Sequence, residues 1–308
     1  GTKTPVAEGS KLTIAVIPKG STHEFWKSVN AGAQEAGKEL GAEIIWKGPL
    51  KEDDRESQIK VVEDFITRKV SGIVLAPLDD TALRMPVDSA MKSGIPVVII
   101  DSDLKDAETV SFVATDNEKG GEMAGERLAE LLGKKGRIVM LRYQEGSAST
   151  AFREAGFLKA IAKYPDIKVV SDNQYAGATS ETAQKAGENL LSPLKNADGT
   201  LGIDGIYTPN ESSTFGMLRV LQDNGWAGKV KFVGFDASTK LIEGLSAGQI
   251  HGLIVQNPRK MGYEGVKTMV AHLKGQQVEK RIDTGATLVT AENLKTDEIA
   301  KLIAPPQE

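Results

Sequence analysis

The sequence predicts an α/β protein built from two parallel sheets, each covered by helices on both faces. Three observations carry that expectation. Apolar runs of strand length alternate with stretches of helical period along the whole chain, the pattern of repeated strand–helix units. Eleven such runs are present, too many for one compact doubly wound sheet in 308 residues. The run of units also pauses near VATDNEKGG (113–121), which divides it into two sheets of five or six strands. A TIM barrel is the main competitor, but it wants eight regular units and gives no place to an irregular strand at 110–115.

The strand candidates are LTIAVI (12–17), EIIWK (43–47), GIVLA (72–76), PVVII (96–100), VSFVAT (110–115) and RIVML (137–141). They continue with IKVVSDNQ (167–174), GIYT (205–208), VKFVGF (230–235), HGLIVQ (251–256) and ATLVT (286–290). Between them, FWKSVNAGAQEAGKEL places Phe25, Val29, Ala33, Ala36 and Leu40 on one helical stripe. ESQIKVVEDFITRKV does the same with Ile59, Val62, Ile66 and Val70, and MGYEGVKTMVAHL with Met261, Val266, Met269 and Leu273. Gly41, Gly94 and Gly225 stand where helices should end, as C-cap glycines do. No Pro/Gly/Ser-rich linker separates the two halves, so short crossovers should join them.

Composition narrows the function. Hydrophobic residues make up 40% and charged residues 26%, as in globular proteins, and the longest apolar runs are far too short to span a bilayer. The net charge of −4, with Lys and Arg spread along the chain, gives no nucleic-acid footprint. Without cysteine there is no thiolate metal site, thiol catalysis or disulfide, which is compatible with an oxidising compartment. The polar opening GTKTPVAEGS reads as a trimmed or mature N-terminus and fits a secreted protein.

Ligands of open α/β sheets bind beyond the carboxyl ends of strands. The residues found there are Lys19, His23, Phe25 and Trp26 after the first strand, and Asp101, Ser102 and Asp103 after the fourth. Arg153 follows the loop RYQEGSAST, Asn210 follows GIYT, Asp236 follows VKFVGF, and Gln256 ends HGLIV. This set offers acceptor-only carboxylates, two-faced amides, a donor-only guanidinium and aromatic faces, an inventory suited to a small polyhydroxylated ligand. Plainer roles stand beside that reading. Asp236 and Asn210 are placed to cap helices, Gln256 to satisfy backbone at a strand end, and Arg153 to pair with Glu154 or Asp172 at the surface. Phe25 and Trp26 suit a core, KEDDRES (51–57) reads as a solvated loop and helix start, and His251 and His272 read as structural or exposed.

Enzyme signatures are weak. DSD (101–103) has the letters of an Asp-x-Asp glycosyltransferase metal site, but in an extended segment its carboxylates face opposite ways. There is no dinucleotide fingerprint after the first strand, no phosphate loop and no G-x-S-x-G elbow, and three histidines leave little for a triad or a zinc site. No catalytic residue, metal or cofactor is expected. NES (210–212) matches a glycosylation sequon, but its Asn is better used at the strand end.

The motifs HEFWKSVNAGAQEAGKELG (23–41), GIVLAPLD (72–79), GIPVVIIDSD (94–103), VATDNEKGGEMAGERL (113–128) and FREAGFLKAI (152–161) resemble a known family. So do TPNESSTFGMLRVLQDNG (208–225), VGFDAS (233–238) and GLIVQNPRKMGYEGV (252–266). The chain resembles the ribose-binding type of periplasmic sugar-binding proteins of ABC transporters, from about Lys11 to about Thr290. That resemblance implies a type I periplasmic binding fold: two Rossmann-like lobes joined by a three-segment hinge near 115, 256 and 285. The N-terminal lobe would comprise 1–115 plus 257–285, and the C-terminal lobe 116–256 plus 286–308. It also implies a sugar or polyol held in the cleft, hinge closure, and delivery to an ABC permease by a monomer. The location would be periplasmic or otherwise extracytoplasmic, and a lipid anchor attached before Gly1 is compatible with it.

The family's pocket pattern falls on Phe25, Trp26, Asp101, Arg153, Asn210, Asp236 and Gln256, the residues chosen above from strand ends. It departs from the ribose pattern at His23, where Asn is usual, at Ala76 for Asn, and at Ser102 for Arg. Ala178 stands in place of a stacking aromatic, with Tyr175 close by in sequence. Three smaller side chains imply a roomier pocket, open to hexoses and polyols as well as pentoses. Two relatives of the same fold compete. IPKGSTHEFW and DSD also resemble the receptor for autoinducer-2, with Lys19, Asp101 and Pro209 matching its pocket. Effector domains of LacI-type repressors share the fold but follow a helix-turn-helix.

Overall fold

The structure, a computed structural model, describes residues 11–305; the polar opening and the outermost ends of the expected lobes, 1–10 and 306–308, lie outside the described residues. In chain order come β1 (Leu12–Ile17), α1 (Glu24–Leu40), β2 (Ala42–Trp46), α2 (Arg55–Thr67), β3 (Gly72–Leu75), α3 (Arg84–Lys92), β4 (Val97–Ile100) and β5 (Ser111–Ala114). Next are α4 (Asn117–Leu131), β6 (Gly136–Arg142), α5 (Ala148–Ile161), β7 (Ile167–Tyr175), α6 (Ser180–Leu191), β8 (Gly205–Tyr207) and α7 (Glu211–Asp223). They are followed by β9 (Lys231–Phe235), α8 (Thr239–Ser246), β10 (Gly252–Gln256), α9 (Pro258–Leu273), β11 (Arg281–Asp283), β12 (Ala286–Val289) and α10 (Asp297–Ile303).

The chain divides into two compact units, one holding 11–115 and 257–285, the other 116–256 and 286–305. Each contains one six-stranded sheet. The first runs β2-β1-β3-β4-β5-β11 and the second β7-β6-β8-β9-β10-β12. The two orders correspond strand for strand. They differ in the last strand: β11 is parallel to β5, whereas β12 is antiparallel to β10. The sequence predicts parallel strands throughout and eleven of them. It misses β11 because Arg281–Asp283 is short and contains one apolar residue. The sense of β12 is set by the chain's route, which no local pattern records.

Alternation along each strand fills both faces of its sheet. In the first unit Ile14 and Val16 pack with Val29, Val74 and Met269, while Ala15 and Ile17 pack with Val62, Phe65 and Leu75 on the other face. In the second, Val139 and Leu141 join Ile206, Leu218 and Phe232, and Ile138 and Met140 join Phe157, Tyr207 and Phe235. Helix faces are rotated slightly from the expected stripes. In α1 the buried aromatic is Trp26, with Phe25 half-buried; in α2 Gln58, Val61, Val62 and Phe65 are buried, with Ile59 and Ile66 half-buried. Gly41, Gly94 and Gly225 follow helices in the left-handed region, as expected.

The correspondence extends to helix packing. In α1 Gly32 stands eight residues after Glu24, as Gly156 does after Ala148 in α5; in α9 Gly262 stands four after Pro258, as Gly121 does after Asn117 in α4. Each lets backbone meet backbone. A β-carbon at Gly32 would lie 1.9 Å from the Arg259 carbonyl oxygen, and one at Gly262 2.0 Å from that of Val29. In the second unit the distances are 1.9 Å from Gly121 to the Arg153 oxygen and 2.0 Å from Gly156 to that of Glu118. The same close helix pair, α1 with α9 and α4 with α5, therefore flanks each sheet.

Candidate functional site

In the first unit the polar residues gather beyond the carboxyl ends of β1 and β4. Asp101 follows β4 directly, and its amide extends the ladder by donating to Val113 O at 3.1 Å. Its φ is 67°, a left-handed conformation that Asp tolerates better than most residues. Its Oδ2 lies 3.3 Å from Lys19 Nζ, and both side chains are buried. Ser102 is fully buried beside it, while Asp103 is exposed and bonds the amide of Leu104. The two carboxylates of DSD thus serve separate places. Among the described residues no cluster of His, Cys, Asp and Glu could hold a metal ion.

Helix α1 begins with His23 as its N-cap residue, but the imidazole does not cap it. Its Nδ1 lies 2.9 Å from Glu52 Oε1, and the Trp26 indole Nε1–H donates to the same oxygen at 2.7 Å. Phe25 meets the Trp26 ring edge-on, centroids 5.0 Å apart at 87°. KEDDRES is therefore only partly the solvated loop that its charge suggests. Glu52 is buried, and Asp54 caps α2 by accepting from Ser57 N. Burial alone would raise the Glu52 carboxyl. The charge of His23 and its hydrogen bond, with Lys19 and the Trp26 indole, outweigh burial and hold Glu52 well below the usual carboxylate range. An ionised carboxylate accepts only, so Nδ1 is the protonated nitrogen of His23. Buried Gln58 donates to Pro18 O and Ala76 O and accepts from Leu78 N, tying the loops after β1 and β3 together. Ala76 itself belongs to the core.

The second unit repeats the arrangement with other chemistry. Asp236 follows β9 at the position Asp101 holds after β4. Its φ is 73°, and its amide donates to Ile254 O at 2.8 Å. It does not cap α8, whose N-cap residue is Ser238. Its Oδ2 accepts from Glu211 N at 2.9 Å and its Oδ1 from Gln256 Nε2 at 2.8 Å. Gln256 therefore serves a side chain across the sheet end. Asn210 does cap: its Oδ1 accepts from Ser213 N at 3.2 Å, and a capping box closes the start of α7. Replacing Asn210 with alanine should cost about 1 kcal/mol of stability in denaturant melts. The side chain is 7% exposed, which argues against use of the NES sequon.

Arg153 on α5 does not lie on the surface beside Glu154 or Asp172. It is 2% exposed, Nε donating to Asn117 Oδ1 at 2.9 Å and Nη1 to Pro209 O at 3.0 Å. Its guanidinium sits 4.0 Å over the Phe235 ring. These partners are neutral, so a buried positive charge is matched by oxygens and a π face. Glu154 turns the other way, to Arg142 and Tyr143 N, and burial raises its carboxyl. Tyr175, the last residue of β7, is 43% exposed with Arg142 against its ring, and Ala178 is buried. His251 is structural, its Nδ1 accepting from Phe232 N at 3.1 Å.

Three contributors escape a strand-end search. Glu52 lies in an acidic loop, Asn117 opens a helix, and Phe235 is the last residue of a strand. A pattern of charge and periodicity has no signal for any of them.

A family model described as a periplasmic binding protein domain matches residues 14–277. The D-allose-binding periplasmic protein of Escherichia coli K12 is 31% identical over 272 residues, 86% of this chain and 85% of that protein. A carbohydrate transporter solute-binding protein from Agrobacterium radiobacter, solved in complex with D-arabinose, shares 36% identity at a TM-score of 0.90, covering 96% of this chain and 100% of that one. An ABC transporter solute-binding protein from Agrobacterium vitis with bound D-fucose shares 36% identity at a TM-score of 0.89, covering 95% and 100%. Among the described residues no helix is long and apolar enough to cross a membrane.

Proposed function

Because the chain belongs to the periplasmic binding protein domain family, we propose that it is the sugar-binding protein of an ABC importer, working outside the cytoplasm as a monomer that delivers its sugar to a permease. Its relatives are sugar-binding transport proteins rather than enzymes. The ligand in this reading is one uncharged monosaccharide of five or six carbons, or a related polyol.

The observation that carries the reading is the matched pair of strand-end aspartates. Asp101 and Asp236 occupy corresponding positions in the two sheets and share a left-handed backbone. Each carboxylate suits donation from sugar hydroxyls, and Arg153 suits oxygen acceptors. Charge supports an uncharged ligand: in the first unit the buried Lys19 faces Asp101, and in the second the buried carboxylates of Asp236 and Glu211 accompany the one guanidinium of Arg153, so neither unit has a surplus of buried cations. A sugar acid or sugar phosphate would call for surplus cations. Phe25 and Trp26 supply the apolar wall for C–H faces. The small side chains at Ser102 and Ala178, where the ribose pattern has larger ones, leave hexoses and polyols open beside pentoses. Relatives and structural neighbours are named for allose, ribose, arabinose, fucose and tagatose.

Titration of intrinsic fluorescence with those five sugars, xylitol and myo-inositol tests the reading. A saturable response to at least one is the expected result, lost when Trp26→Phe removes the reporter and retained in calorimetry. Silence in both methods for every compound would overturn it.

A further inference from the structure

We propose that Glu52 is the positioning residue of the first unit's ligand set, acting through Trp26 and His23 rather than on the sugar; this rests on the sugar-binding reading above. The segment carrying it is held close to the chain leaving β1. Ser21 N donates to Leu50 O at 3.1 Å, and a β-carbon at Gly20 would stand 3.1 Å from Glu52 Cγ and 3.2 Å from its backbone nitrogen. The carboxylate therefore reaches the first turn of α1 almost without solvent, 6% exposed. One oxygen, Oε1, takes both the indole Nε1–H at 2.7 Å and His23 Nδ1 at 2.9 Å.

An indole has one polar atom. Anchored there, its ring plane is set, and it offers a fixed apolar face. Phe25 leans edge-on against that ring, so its placement follows from the same anchor. A neutral acceptor could serve the indole alone. A carboxylate accepts from Nδ1–H of His23 as well, and the buried Lys19–Asp101 pair lies in the same unit. Glu52 thus couples the aromatic wall to the buried charge group, two features that the strand-end residues alone do not connect.

The test compares Glu52→Gln and Glu52→Ala with the parent in two measurements on the full chain. The first needs no sugar: the indole Nε1–H resonance of Trp26, assigned by its loss in Trp26→Phe. It should move strongly in Glu52→Ala and weakly in Glu52→Gln, which keeps an acceptor. The second is affinity for the sugar that binds the parent. It should fall roughly tenfold or more in Glu52→Ala and only a few-fold in Glu52→Gln, in line with loss of hydrogen bonds to a charged group. If Glu52→Ala does not fold, Glu52→Gln still shows both effects. An unmoved resonance, or a moved resonance with unchanged affinity, would overturn the proposal. A parent that binds no sugar overturns the reading beneath it, and that result is seen before any variant is compared.

Discussion

Asp236→Ala should abolish measurable sugar binding while the protein stays folded. The carboxylate is the acceptor that a hydroxyl donor needs, and each hydrogen bond to a charged group is worth about 1.5–3 kcal/mol. Two such bonds correspond to a loss of about a hundredfold or more in affinity. Stability should fall too, since Glu211 N loses Oδ2, Gln256 Nε2 loses Oδ1, and alanine is strained at a φ of 73°. Asp236→Asn separates these effects. Asn tolerates the left-handed backbone and keeps one acceptor oxygen, so it should cost less stability than alanine yet still lose about tenfold in affinity. Asp101→Asn should likewise weaken binding of the same sugar. Calorimetric titration with the best ligand decides the matter: unchanged affinity in Asp236→Ala would reduce this residue to a tie between α7 and β10.

The second large effect lies away from the ligand residues. Gly121→Ala places a β-carbon 1.9 Å from the carbonyl oxygen of Arg153, where backbone cannot yield as a flexible side chain would. Helices α4 and α5 must separate, at a cost of about 3 kcal/mol. For a unit of this size that corresponds to a melting temperature lower by roughly 6–12 °C. The obstructed residue is Arg153 itself, so its bonds to Asn117 and Pro209 and its seat over Phe235 should be disturbed as well. Sugar affinity should therefore fall about tenfold or more at a temperature where the variant is folded. Gly262→Ala is the matching change in the first unit. It presses on Val29, a core residue, and should lower stability similarly while leaving Arg153 in place. Scanning calorimetry showing Gly121→Ala within a degree or two of the parent would refute the packing argument.

Much of the architecture is legible in one dimension because its cause is local. The strands at 12–17 and 72–76 are apolar on both faces, as strands buried under helices must be, and the glycines after 40, 93 and 224 supply the left-handed residue that ends a helix. The strand ends are legible too, since an Asp directly after an apolar run marks where a parallel sheet presents polar groups. The misses have non-local causes. Phe25 and Trp26 are neighbours, and a rotation of about 100° decides which is buried. Trp26 is the buried one, and Glu52, 26 residues away, accepts a hydrogen bond from its indole N–H.

Taken alone, the sequence determined two α/β sheets, the carboxyl-end placement of Lys19, Asp101, Arg153, Asn210, Asp236 and Gln256, and the absence of thiol chemistry. All of these follow from periodicity, turn residues and composition. Only the tertiary structure decided what those side chains do: that Asn210 caps α7, that Asp236 holds Gln256 and a helix amide instead of capping α8, and that Arg153 is buried with neutral hydrogen-bond partners. It also decided that Glu52 of an acidic loop is buried against an indole. The reason is physical: the role of a polar group depends on which donors, acceptors and charges surround it once water is removed. Distant segments supply those neighbours, and residue spacing along the chain does not encode them.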